Sequence, residues 1–67
     1  MKSFTFTEED FRTLSEDGIG FCIHCGEEAV DYCEPDAREY LCEFCGEREV
    51  YGMEELLLMG LIEFAEE

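Results

Sequence analysis

Basic residues are scarce in this chain. Lys2, Arg12, Arg38 and Arg48 stand singly among 67 residues, against 19 Asp and Glu, for a formal net charge of −15. Proteins bind nucleic acid largely through Lys and Arg that neutralise phosphates and release counterions. With no basic patch, direct DNA or RNA binding is not expected. There is a single histidine, His24, with no nucleophile paired to it in a recognisable arrangement, and the carboxylates are too many to single out two. No catalytic constellation emerges, and an enzyme is not expected. No apolar run approaches the ~20 residues that span a bilayer, so no membrane association is expected. Met1–Phe6 lacks the apolar stretch of a secretory signal. The one proline, Pro35, lies within a turn-like run, and there is neither a linker nor a low-complexity tract.

What is present argues for one folded domain over residues 1–67. Hydrophobic residues make up 46% of the chain, with six Phe and three Tyr, which is ordinary for a globular protein. A chain this short buries only about 60% of its unfolded surface, so small domains usually add a disulfide, a metal or a partner chain. Five cysteines are available for that purpose. An odd number with paired spacing suits metal binding in a reducing cytoplasm better than a secreted disulfide framework.

Four of the five form two identical spacings. Cys22 and Cys25 are separated by two residues, as are Cys42 and Cys45, with residues 26–41 between the pairs. Two intervening residues let both sulfurs of a tight turn point at one ion, and amides of the same turn can donate to the thiolates. Gly26 and Gly46, each following a second cysteine, permit the positive φ such a turn often needs. Four thiolates close a tetrahedral shell without an open position, so a metal here is expected to be structural and its binding energy to be folding energy.

The chain divides into three parts. In residues 1–20, Ser3–Thr7 alternates at the strand period. Thr7 then suits a helix N-cap, with Glu8, Glu9 and Asp10 at the positive end of the dipole. Phe6 and Phe11 have the spacing of a hydrophobic staple, and Gly18 can end the helix. Residues 21–51 form the metal ribbon. Ala29–Cys33 and Arg38–Leu41 read as strands of a hairpin turning through Glu34–Ala37, with a third strand through Arg48–Tyr51. In residues 52–67, Met53, Leu56, Leu57, Gly60, Leu61 and Phe64 share a helical face. A helix over about 53–59 is expected, and Gly60 is a candidate stop. Residues 61–64 are then either helix or an extended run paired with the N-terminal strand. The fold class is a small metal-stabilised α+β domain: a zinc β-ribbon with a short N-terminal and a C-terminal helix.

Cys22-Ile23-His24-Cys25-Gly26 and Cys42-Glu43-Phe44-Cys45-Gly46, with a hairpin between, resemble the zinc-ribbon superfamily over residues 21–51. The run Glu34–Gly60 is also similar to small zinc-ribbon proteins of phages and bacteria, a likeness that implies no activity. Both knuckles resemble those of rubredoxin, which implies iron and electron transfer as the alternative. The 16-residue gap (26–41) is shorter than in ordinary rubredoxins and nearer the rubredoxin-like modules of rubrerythrins. Glu43 stands where rubredoxins usually carry proline.

Cys22, Cys25, Cys42 and Cys45 are therefore the expected ligands of zinc, or alternatively of iron. Cys33 reads as a small buried residue of the first hairpin strand rather than a substitute ligand or a reactive thiol, and His24 as facing away from the metal. Tyr32, Tyr40, Tyr51, Phe21 and Phe44 read either as an exposed recognition surface or, as the commoner case, as packing around the ribbon. Leu56–Met59 holds more apolar surface than one side of a minimal domain covers. Leu57, Leu58, Met59 and Ile62 are candidate partner-binding residues, toward a homodimer or a partner's hydrophobic groove. The acidic surface either solvates the domain or steers it to a protein with a basic surface. The functional expectation is a non-enzymatic interaction module, in its most specific form a DNA-mimic-like inhibitor of a nucleic-acid-binding partner.

Overall fold

The computed structural model describes residues 1–65. It opens with strand β1 (Phe4–Phe6) and helix α1 (Glu8–Glu16), followed by strand β2 (Gly20–Cys22). After a long irregular stretch come strand β3 (Val50–Gly52), helix α2 (Met53–Leu58) and strand β4 (Ile62–Phe64). The strands form two separate pairs: β1 with β4 in parallel, and β2 with β3 antiparallel.

Helix α1 begins as its residues dictate. The amide of Asp10 donates to Thr7 Oγ1 at 3.1 Å, and three acidic residues occupy the first turn. It closes with the amides of Gly18 and Ile19 donating to the carbonyls of Ser15 and Leu14, a paired arrangement that serves the free carbonyls of a helix end. Phe11 and Leu14 are half-buried and pack toward the core. Helix α2 has no side-chain cap at Gly52. Its first amides are served instead by a distant loop: Glu54 and Glu55 both donate to the Pro35 carbonyl, at 3.0 and 3.2 Å.

Gly60 is the stop. It sits at φ +76° with nothing near the position a side chain would take, and Gly60 and Leu61 donate to the carbonyls of Leu57 and Leu56. The chain then turns back as β4, with Phe4 opposite Ile62 and Phe6 opposite Phe64. Residues 61–64 are thus not a continuation of the helix. Glu66 and Glu67, the end of the expected 52–67 part, lie outside the described residues.

The core has two centres. One is apolar and conventional: Ile23, Met53 and Leu56, flanked by aromatics of β1, α1 and β2 and by Leu61 and Ile62. Phe21 lies 5.0 Å from Phe4 and 5.6 Å from Phe6, ring centre to ring centre. The other consists of Cys22, Cys33, Ala37, Cys42 and Val50, small side chains that bury little apolar area. Between them runs a strut. Gly52 donates to the Ala37 carbonyl at 3.0 Å, and Arg38 Nε meets the buried Glu55 carboxylate at 2.8 Å.

The expected hairpin between the knuckles does not form. Ala29–Cys33 and Arg38–Leu41 make no ladder with each other; the amides of Ala29 and Cys33 donate to the carbonyls of Gly20 and Gly18, beside a bridge of Glu28 with Phe21, and Tyr40 bridges Val50. Two features prevent regular pairing. Glu39 adopts a left-handed φ of 54°, which interrupts any strand through Arg38–Leu41, and Pro35 and Ala37 are committed to α2 and Gly52. The chain segments that flank the knuckles, β2 and β3, pair in their place. Among the described residues no helix is long and apolar enough to cross a membrane.

Candidate metal centre

Each knuckle is a tight turn with the same wiring. The Gly26 amide donates to the Cys22 carbonyl and the Gly46 amide to the Cys42 carbonyl, both at 2.9 Å. In return the Cys22 amide donates to Glu27 O and the Cys42 amide to Glu47 O, at 2.9 and 2.8 Å. Gly26 and Gly46 close the turns at φ +85° and +79°, values that a side chain would strain. The likeness of the two knuckles thus extends from spacing to hydrogen bonding. Cys22 is the last residue of β2 and pairs with Val50 of β3, so the sheet sets the first knuckle. The second is set through Tyr40, bridged to the same Val50.

This wiring brings four sulfurs together. Every pair of Cys22, Cys25, Cys42 and Cys45 Sγ atoms lies within 4.8 Å. Cys22 Sγ is 3.7 Å from Cys45 Sγ and Cys25 Sγ is 3.6 Å from Cys42 Sγ. A disulfide needs about 2.05 Å, and all five cysteines are free. A tetrahedron of sulfurs each about 2.3 Å from a central zinc has edges of about 3.8 Å, so the donor set fits such an ion. The fit concerns shape and ligand chemistry; it does not choose between zinc and iron, both of which accept four thiolates.

Backbone amides are aimed at the sulfurs. Those of His24 and Cys25 donate to Cys22 Sγ, each at 3.4 Å. In the second knuckle the amides of Cys45 and Phe44 serve Cys42. The Cys45 bond is the larger cause that brings this thiol down to about 7, against the opposing effect of burial. Glu27 and Glu47 supply amides to Cys25 and Cys45. For Cys45 the Glu47 amide favours the thiolate, but burial and hydrogen bonding with Cys22, Cys42 and Cys25 outweigh it and push the group up to about 12. In a metal-free cluster the Cys42 thiolate forms readily, while Cys25 and Cys45 resist further negative charge. A cation removes that resistance.

The remaining candidates fall elsewhere. His24 is exposed and outside the cluster. Cys33 is buried to 1% exposure among Ala37, Val50 and the inner cysteines without joining the sulfur cluster, and burial, with Glu34 and Asp31 nearby, raises its thiol. Of the aromatics, Phe21 and Tyr51 pack against the apolar core. Tyr32, Tyr40 and Phe44 are exposed, which corrects the reading of that set as packing. Leu57, Leu58 and Met59 are exposed, Leu58 to 78%, whereas Ile62 is half-buried against the Met53–Leu56 core. The strut from Pro35 to Arg38 is not marked by any local pattern in the sequence. Its signal was only a buried-face carboxylate, Glu55, and an arginine far along the chain.

Fold and site together define the class: a small acidic α+β domain with four cysteines in two zinc-ribbon-like knuckles, positioned to bind one metal ion. No protein-family model matches the chain, and no curated protein or solved structure is similar to it at a significant level.

Proposed function

We propose that Cys22, Cys25, Cys42 and Cys45 hold one structural zinc ion, and that the domain is a non-enzymatic, zinc-ribbon-like interaction module of the cytoplasm. The observation that carries this reading is the composition of the sulfur cluster. Four thiolates fill a tetrahedral shell and leave no position for water or substrate, so function falls to the surface. Zinc would neutralise half of the four thiolate charges and fix the two knuckles; these residues do no chemistry beyond that.

The chain carries a net charge of −15, and Leu57, Leu58 and Met59 add an exposed apolar patch at the end of α2. Such a surface complements a basic, nucleic-acid-binding face on another protein, as a phage-encoded or regulatory DNA-mimic inhibitor would. The test is affinity purification from the native host, followed by binding measurements at rising salt. A basic partner whose affinity falls steeply with salt, and falls again when acidic residues are neutralised, supports the reading; binding insensitive to both contradicts it.

One observation favours a second reading, an iron site for electron transfer. Cys25 and Cys45 are only half-buried, so sulfur approaches the surface, where a redox partner could meet it. Protein purified without added metal distinguishes the two: colourless with one zinc, or red and redox-active with one iron.

A further inference from the structure

We propose that the groove beside the second knuckle binds an extended peptide segment of a partner, in which apolar side chains alternate with Lys or Arg. The inference rests on the reading of the domain as an interaction module and names a surface and a chemistry for it.

The groove has a volume of about 340 Å³, with Cys33, Cys42 and Val50 among its lining. Val30, Leu41 and Phe44 also line it, exposed to 63%, 54% and 60%. A domain this small has few large apolar residues, and its own core uses none of these three. They lie on separate chain stretches, 29–31 and 39–44, which both knuckles and the central strand pair hold in place. Apolar surface gathered from distant segments and left open marks a contact.

Charge selects the occupant. Asp31, Glu39 and Glu43 share the groove with Arg48 as its one cation. A second copy of this chain would bring another net −15 and is disfavoured by repulsion, and a nucleic acid is disfavoured for the same reason. A segment with Lys or Arg between apolar residues satisfies both the walls and the floor.

Backbone geometry favours an extended segment. Tyr40 spends both its amide and its carbonyl on Val50, each at 3.0 Å. In an antiparallel pairing the neighbouring residue then points its own groups to the opposite side, and the Leu41 amide has no backbone partner among the described residues. Leu41 is thus placed to pair with an added strand. Glu39, at the same rim, holds the left-handed φ of 54°. Strained backbone of this kind is concentrated at ligand-contacting positions.

The test uses the isotope-labelled, zinc-loaded full chain titrated with three synthetic peptides: one alternating Leu or Phe with Lys, one with Glu in place of Lys, and one with Ser in place of the apolar residues. The expected result is chemical-shift change centred on Val30, Leu41 and Phe44, with the first peptide binding at least tenfold tighter than either control. Val30→Ser should weaken it about tenfold with zinc content unchanged, while Leu58→Ser should leave it unaltered. Equal binding of the basic, non-apolar control, shift changes centred on Leu57–Met59, or no binding of the first peptide would each overturn the groove. None of these touches the wider reading, which stands or falls on the salt-dependent binding of the native partner.

Discussion

Cys33 and the four clustered cysteines occupy one small core yet carry different chemistry. Cys22→Ser or Cys45→Ser removes a thiolate from a shell of four, and the core around it is otherwise only Cys33, Ala37 and Val50. Because binding free energy at such a site is folding free energy, either variant is expected to lose stoichiometric metal and to lose its fold by circular dichroism and amide dispersion. A metal-free variant that stays folded would contradict this. Cys33→Ala, by contrast, should keep one metal ion per chain and cost about 1 kcal/mol for a lost buried sulfur, read as a lower denaturation midpoint. Gly20 is the companion of Cys33: a side chain there would press on Cys33 Sγ at 2.7 Å.

The phenols offer a pH-dependent check at the same scale. Tyr40 donates to Glu34 Oε2 at 2.8 Å, and this bond to a carboxylate, followed by burial, raises its ionisation above the usual 10. Burial, then Glu39 and Glu49, raises Tyr51 likewise. A raised native value means that the folded protein keeps its proton after the unfolded chain has lost it, so stability falls as pH rises above about 10. Absorption at 295 nm should show tyrosinate appearing later in the native protein than in urea, with Tyr40→Phe removing part of the delay. Coincident titrations would contradict the assignment.

At the scale of elements, both helices end in the same paired-carbonyl closure, while the two glycines that flank α2, Gly52 before it and Gly60 after it, do not fail alike when replaced. Gly60 has open space around it, so Gly60→Ala costs only the left-handed conformation, about 1 kcal/mol. Gly52 has an ordinary φ, but a side chain there would collide with the Glu34 carbonyl and Pro35 backbone, prising the loop from the start of α2. Gly52→Ala should therefore lower the thermal midpoint more than Gly60→Ala, and the reverse order would argue against the strut. Arg38→Ala leaves the buried Glu55 carboxylate without its cation. Because the guanidinium is itself largely exposed, a loss of only about 1 kcal/mol is expected, diminishing at high salt.

These elements also show what could be read from residue order. Thr7, the acidic first turn and Gly18 are local signals acting within a few residues, and α1 follows them. The knuckles are legible for the same reason, since a cysteine, two residues, a cysteine and a glycine specify a turn by themselves. The partners of Ala29–Cys33 and Arg38–Leu41 are not local. Both stretches have strand-like composition, but which chain they pair with depends on where Pro35 docks and on the left-handed turn at Glu39, neither of which periodicity reports. The choice at residues 61–64 depended on Gly60 and on the free edge of β1, and only the tertiary pairing of Phe4 with Ile62 resolves it.

For the whole molecule, two properties dominate: a core with one of its two centres built largely of cysteines, and a net charge of −15. The apolar centre around Met53 and Leu56 joins the chain's two ends through β1 and β4, while the cysteine centre holds the middle. Loss of metal should therefore unravel residues 21–51 first, with amides there exchanging faster than those of α2. The net charge of −15 repels itself, so moderate salt should raise the thermal midpoint of the metal-bound protein even as it weakens any basic partner's grip.

The central claim is one metal ion held by four thiolates, and native mass spectrometry of protein purified without added metal tests it most directly. The account predicts a single species heavier than the bare chain by one zinc ion less the displaced thiol protons, and loss of that ion together with the compact charge-state distribution on acidification. A compact chain at the metal-free mass, or one lightened by the two hydrogens of a Cys22–Cys45 disulfide, would contradict it.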